Sequence, residues 1–413
     1  MNVEIKFPSY DAQQRTYVTW RPVEVKLRLL APPPGVANVA VTVSAKSLSP
    51  GGKLRFAKTL THLGTPTLNL NLPTSGAPVS VWVGGEFQAP SSKYGDVTME
   101  VRTNPGNQLV GTQPTMVRVR KNAEALSTFE RDRFLAALAT LNGSGSGPYK
   151  NFRDMHVGGA PDAEAHGGPG FLPWHRAYLL DFERELQNIN AEVTLPYWRF
   201  DKAARNLFSR SFIGLPNFFG QVQFNAGHPL LGWVAVSSVG IQRGNGVGPT
   251  TVPALNSEAQ TLQPGGTLHP NYASFRDMQF NPHGSAHMSH GGGWITNPAT
   301  APRDPLFYML HCNVDRLWAK WQWAAKVHNP TDPKAFTPAA GFPAGHRLND
   351  ALWPWCGPLA PPRPTTAPGG GLAASPITAV PGVSPKIRDM IDYLGTVSPN
   401  HQAFAYDDVP FQN

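Results

Sequence analysis

The stretch His166-Gly167-Gly168-Pro169-Gly170-Phe171-Leu172-Pro173-Trp174-His175-Arg176 sets two histidines across a glycine-rich loop and the start of an amphipathic helix. Proline suits the first helical position, where its missing N–H costs nothing, so Pro173 predicts that His175 projects from the first turn. Tyr178, Leu179, Phe182 and Leu186 then continue an apolar stripe at helical spacing. Upstream, His156 ends a second predicted helix over residues 149–155.

A matching set lies downstream. His283-Gly284-Ser285-Ala286-His287 is an H-x3-H pair, and residues four apart on a helix share a face, so both rings can reach one ion. The stretch Asp304-Pro305-Leu306-Phe307-Tyr308-Met309-Leu310-His311 reads as a helix opened by an Asp N-cap and a Pro. Asp315 follows His311 by one turn, where a carboxylate can orient a ligand imidazole. Six imidazoles in two sets of three can hold two metal ions. Imidazole suits copper in both oxidation states, whereas carboxylates prefer harder ions. The ligand set therefore points to a dicopper pair that handles dioxygen. Without a Glu after its first His, the H-x3-H pair is not a zincin helix, which counts against a zinc hydrolase built on His283 and His287. His290 lies close to the second set, but its place before Gly291-Gly292 marks it as a pocket wall.

A chain of 413 residues predicts two domains. Its 42 Pro and 40 Gly predict long loops, and its formal charge of +8 a mildly basic surface. Lys and Arg are scattered without runs of like charge, which argues against a nucleic-acid partner. Two cysteines, Cys312 and Cys356, make no disulfide framework and leave either two thiols or one bridge. The N-terminus has no apolar signal segment, and no stretch reaches the roughly 20 apolar residues of a membrane helix. The expectation is a protein made in the cytoplasm and not in a membrane, compatible with a partner that delivers copper or assists export.

Residues 1–119 alternate apolar and polar with period two, as in Val23-Glu24-Val25-Lys26-Leu27-Arg28-Leu29 and Val79-Ser80-Val81-Trp82-Val83. Turn clusters such as Pro32-Pro33-Pro34-Gly35 separate the runs. Short strands at this spacing predict an all-β sandwich, immunoglobulin-like, without a chemical motif of its own. The pattern changes at Arg120. Ser127-Thr128-Phe129-Glu130 is a capping box before a helical run, and residues 120–413 are expected to form one mainly α domain. Pro385 to Tyr393 reads as a short closing helix.

From about Arg120 onward these motifs resemble the tyrosinase family of type 3 copper proteins, which holds tyrosinases, catechol oxidases, o-aminophenol oxidases and the related molluscan haemocyanins. The resemblance implies a four-helix bundle around two copper ions, with dioxygen as co-substrate and a small phenol as substrate. It implies His156, His166 and His175 at copper A, and His283, His287 and His311 at copper B. Many members carry a thioether-forming Cys two residues before the second copper-A histidine; here that residue is Glu164, so no such crosslink forms.

Two positions bear on substrate. In many members that hydroxylate monophenols, a Glu before the first copper-B histidine and an Asn just after it hold a water that deprotonates the phenol. Here the resemblance aligns Gln279 and Gly284 with them. Gln cannot take a proton and Gly offers no amide. Asp277, or a water elsewhere, could replace the missing carboxylate. Met288 is placed over the substrate entrance, with Trp294 as a second candidate wall. The implied enzyme oxidises o-diphenols or o-aminophenols to quinones, with slow monophenol hydroxylation. A full tyrosinase with strong monophenolase activity and a non-enzymatic dioxygen carrier are the alternatives.

Overall fold

A computed structural model describes residues 1–61, 64–156, 160–338, 341, 344–357 and 371–411, with the backbone alone for residues 160–162. These form two compact units. The first joins Met1–Val119 to Ser375–Val380 and Leu394–Asn413; the second is Arg120–Ala374 with Pro381–Tyr393.

Among the described residues, nine strands build the first unit: β1 (Asn2–Lys6), β2 (Thr16–Val18), β3 (Val23–Leu30), β4 (Asn38–Ser47), β5 (Leu54–Ala57), β6 (Leu68–Pro73), β7 (Val79–Gly85), β8 (Val97–Thr103) and β9 (Leu109–Val117). One sheet has the order β1-β3-β7-β5 and the other β2-β9-β8-β4-β6. All pairings are antiparallel except β2 with β9. The period-two runs dictate which face turns inward. Along β3 the side chains of Val23, Val25, Leu27 and Leu29 are buried while Glu24, Lys26, Arg28 and Leu30 are exposed. Strands of one sheet touch strands of the other at β1·β9, β2·β7, β3·β6 and β4·β5, so the buried faces share one core.

The chain's last stretch belongs to this unit. Trp20 donates its indole N–H to the Tyr406 carbonyl at 2.7 Å, and Arg21 donates to Pro399 O at 3.1 Å. Phe404, Tyr406, Val409 and Phe411 are buried. Residues 375–380 and 394–411, expected in the second domain, therefore group with the first unit instead.

The second unit is helical: α1 (Thr128–Asn142), α2 (Tyr149–Met155), α3 (Ala160–Ala165), α4 (Phe171–Ile189), α5 (Glu258–Leu262), α6 (Tyr272–Phe275), α7 (Ser285–Met288) and α8 (Leu306–Ala325). The capping box opens α1, with Ser127 and Glu130 bonded reciprocally, and Gly143 at φ +49° closes it. Pro173 is the third residue of α4, not the first, yet still in the first turn, where a backbone N–H would have no intrahelical partner and its absence costs nothing. The side chain of Asp304 accepts the Leu306 N–H at 3.0 Å at the start of α8. It is also gripped by both arms of Arg243 at 2.7 Å. The expected closing helix is only a 3-10 turn, Ile387–Met390.

Helices α4 and α8 are almost wholly buried, so their polar side chains must find partners inside. Arg176 of α4 donates to Asp315 of α8 at 2.6 Å; Arg120 reaches Asp315 at 3.2 Å and Glu183 at 2.9 Å. The Arg176 guanidinium also lies 3.7 Å from the centroid of the Trp318 ring. Cys312 and Cys356 are buried and not bridged. Among the described residues, no helix is long and apolar enough to cross a membrane.

Candidate metal centre

In the first trio one histidine sits within a helix, one at a helix end and one on a loop. His156 caps the C-terminal end of α2, His166 follows α3, and His175 points from α4. His156 and His175 are buried and His166 half-buried, and the ring nitrogens of the three lie within 4.8 Å of one another. The backbone fixes two of the rings. His156 Nδ1 is 3.1 Å from Pro298 O and His175 Nδ1 is 2.9 Å from Phe171 O. A carbonyl can only accept, so each Nδ1 carries the proton and each Nε2 presents a bare lone pair. Both Nε2 atoms are buried without a hydrogen-bond partner.

The second trio is built the same way. His283 lies in the π-turn Phe280–Gly284, His287 in α7 and His311 in α8, again with ring nitrogens within 4.8 Å. His283 Nδ1–H donates to Gln279 O and His287 Nδ1–H to Ile295 O, both at 2.7 Å. Their Nε2 atoms face His311 Nε2 at 3.4 and 3.2 Å. At most one proton fits among these three atoms, so lone pairs confront each other where a cation would relieve them. His175 and His311 stack at 4.2 Å between centroids, which brings the two trios together as one centre.

Burial holds His156, His175, His283 and His311 well below the ordinary histidine range, and neighbouring imidazoles push the same way. Burial takes His287 down to about 4. All five are therefore neutral ligands at pH 7. An all-imidazole donor set with bare lone pairs in two groups of three fits two copper ions.

A cavity of about 180 Å³ opens on the centre. His156, His166, His283, His287 and His311 form its floor; Gly284, Met288, Ile295, Thr296, Pro298 and Ala301 form its wall. Met288 is 63% exposed and so stands at the opening. The loop 295–301 carries no sequence signal, because it contributes backbone carbonyls and small apolar groups.

Several expected site residues do something else. Asp315 pairs with Arg176 and Arg120 and so ties elements of the helical unit together, while His156, His175, His283 and His287 are aimed by backbone carbonyls. Gln279 is buried and is not a cavity wall; it serves the site through its backbone oxygen on His283. Trp294 and Asp277 are not cavity walls either. His290 is fully buried against Trp198 and Phe208, away from the cavity. Gly284 and Met288 do line it.

The common central domain of tyrosinase matches residues 146–324. The tyrosinase of Streptomyces glaucescens is 34% identical over 263 residues, a match that covers 57% of this chain and 92% of the relative. The tyrosinase of Streptomyces antibioticus is 30% identical over 265 residues with the same two coverages, 57% and 92%. The chain belongs to the tyrosinase family. As a tyrosinase-family copper oxidoreductase it has a dinuclear centre, and its two histidine trios fit copper A and copper B. Among solved structures, a polyphenol oxidase from Thermothelomyces thermophila is similar at a TM-score of 0.46 and 18% identity, over 70% of this chain and 88% of that one.

Proposed function

We propose that this tyrosinase-family protein oxidises o-diphenols, or o-aminophenols, to quinones or quinone imines with dioxygen, and hydroxylates monophenols slowly. The observation that carries this is the composition of the cavity: among its described lining residues there is no carboxylate. The bound copper pair supplies dioxygen activation and the two-electron oxidation. The chain supplies the rest. Ile295, Pro298 and Ala301 offer an apolar slot for an aromatic ring and keep water from it. Gly284 leaves room beside His283 and contributes no side-chain donor or acceptor. A monophenol has to lose its proton before it can bind a metal, and a phenol with a pKa near 10 finds no general base here near neutral pH. A catechol is easier to oxidise and depends less on that base.

The test is oxygen uptake by copper-loaded protein with a monophenol and its matching o-diphenol side by side. Preferential diphenol uptake at pH 7, with monophenol uptake climbing toward pH 9, supports the reading. Comparable rates at pH 7 overturn it in favour of a full tyrosinase, the reading favoured by the names of the Streptomyces relatives.

For the fold, we infer that the first unit is an immunoglobulin-like sandwich and that α2, α4, α7 and α8 form a four-helix bundle around the histidines. What supports the sandwich is that β1-β3-β7-β5 can be matched to A-B-E-D and β9-β8-β4 to G-F-C, with β2 and β6 as additional edge strands. A crystal structure with the sheets aligned near the usual ~30° supports the sandwich; an orthogonal crossing overturns it.

A further inference from the structure

The loop that carries His166 lies between α3 and α4, with Gly167 at φ +72°. His166 is the half-buried member of the first trio, while His156 and His175 are buried. Such a loop needs something to hold its ring in place.

The holder comes from far along the chain. His346 is fully buried. Its Nδ1 accepts the Gly170 N–H at 2.9 Å, and its Nε2 is 2.8 Å from Ala163 O. The donor at one end and the acceptor at the other leave one choice: Nδ1 is bare and Nε2 carries the proton. Residues 163 and 170 bracket His166, so a single imidazole spans both ends of the loop.

The loop around His346 is itself fixed. One carboxylate oxygen of Asp350 accepts from three successive backbone N–H groups, Gly345 at 2.9 Å, His346 at 3.2 Å and Arg347 at 3.1 Å. Gly345 has φ +92°, and a Cβ there would meet the Glu164 carboxylate at 2.4 Å. A Cβ on Gly170 would meet Gly345 O at 2.4 Å and His346 Nδ1 at 2.9 Å. Glu164 is buried and accepts the Trp353 N–H at 3.3 Å. Two segments about 180 residues apart thus interlock at both ends of the His166 loop, with glycine required at the two closest approaches.

We propose that His346 is a positioning residue for the first copper ion: its imidazole latches the 163–170 loop at both ends and so fixes where His166 presents its nitrogen. The latch rests on the copper assignment of the first trio. It acts through the backbone, and His346 touches neither metal nor substrate. Outer groups that orient metal ligands typically govern about 10–100-fold in metal affinity.

The test is competitive copper titration of the full chain, with the second trio disabled by His287→Ala so that the remaining copper reports on the first. In that background His346→Leu, which removes both hydrogen bonds, is expected to weaken copper binding about 10–100-fold and to broaden the Cu(II) electron paramagnetic resonance signal. His346→Gln offers an acceptor and a donor at a similar separation and is expected to restore both readouts. In the chain with both trios intact, His346→Leu is expected to leave second-site affinity unchanged. If His346→Leu does not fold, His346→Asn, which reaches one partner only, is expected to show an intermediate loss. Unchanged affinity in the Leu or Asn variant, a Gln variant as weak as Leu, or equal loss at both sites overturns the latch. A parent chain that takes up no copper overturns the metal reading itself; a parent with two ions and a Leu variant that holds both as tightly overturns the latch alone.

Discussion

The imidazoles of His175 and His311 stack face to face, with centroids 4.2 Å apart and planes within 8° of each other. One ring belongs to each copper site, so the separation of the two metals depends on how α4 sits against α8. Arg176, the residue after His175, reaches Asp315, one turn after His311, and this pair is what clamps the two helices at the level of the metals.

Asp315→Ala should therefore behave as a stability mutation before it behaves as a ligand mutation. It takes away the carboxylate of the fully buried Arg176 and leaves the fully buried Arg120 with Glu183, both beside an empty space. Removing one partner of a buried ion cluster costs roughly 3–5 kcal/mol. The urea midpoint of the apo protein should fall accordingly. An unchanged midpoint with a selective loss of copper would instead show that Asp315 works on a ligand imidazole.

Gly284→Asp should turn the cavity toward monophenols. Gly284 has helical backbone angles, φ −60° and ψ −38°, and a Cβ there would meet only Gln279 O, at an ordinary 3.4 Å. The new carboxylate would stand in the cavity wall beside His283 and could take a phenol proton. Monophenol turnover at pH 7 should rise by about tenfold or more relative to diphenol turnover, a placed general base contributing up to roughly 10²–10⁴-fold. No change in that ratio would mean that proton removal does not limit monophenol oxidation.

Met288 is exposed and lines the opening, so its side chain contributes little to the core. Met288→Ala should leave the melting temperature within about 1–2 °C, since exposed substitutions usually stay within ~0.5 kcal/mol. It should change KM for diphenols with bulky ring substituents while kcat for catechol holds. A loss of kcat for every diphenol alike would place Met288 in the chemistry instead of at the entrance.

The histidine sets were legible because metal chemistry leaves side chains at characteristic spacings: His156, His166, His175, His283, His287 and His311 meet as their motifs suggest. The partners that aim the rings were not legible. Pro298 O, Ile295 O, Phe171 O and Gln279 O are backbone atoms, and any residue type provides one. His346 had no motif around it, and its partnership with residues 163 and 170 exists only through the fold. In the β unit, alternation along β3 and β7 foretold strands and their inward faces, but period two carries no information about which strand pairs with which. The return of Tyr406 to Trp20 is likewise a tertiary contact with no local pattern.

Acid should undo the apo protein in a defined window. Burial lowers His287 and His328 to about 4 and keeps the other four buried ligand histidines well below 6.5. A lowered histidine pKa means that the folded chain refuses a proton that the unfolded chain accepts. Above about 6.5 both states are neutral and these groups leave stability independent of pH. As pH falls from 6.5 toward 4, the unfolded state gains protons first, so stability drops with pH throughout that interval. His287 alone accounts for roughly 3 kcal/mol by pH 4. Copper competes with protons for the same nitrogens, so the loaded protein should hold its stability to lower pH than the apo protein. Urea midpoints measured against pH, with and without copper, decide this. A flat apo curve between pH 6.5 and 4, or identical curves for the two forms, would mean that these histidines are not buried as neutral ligands.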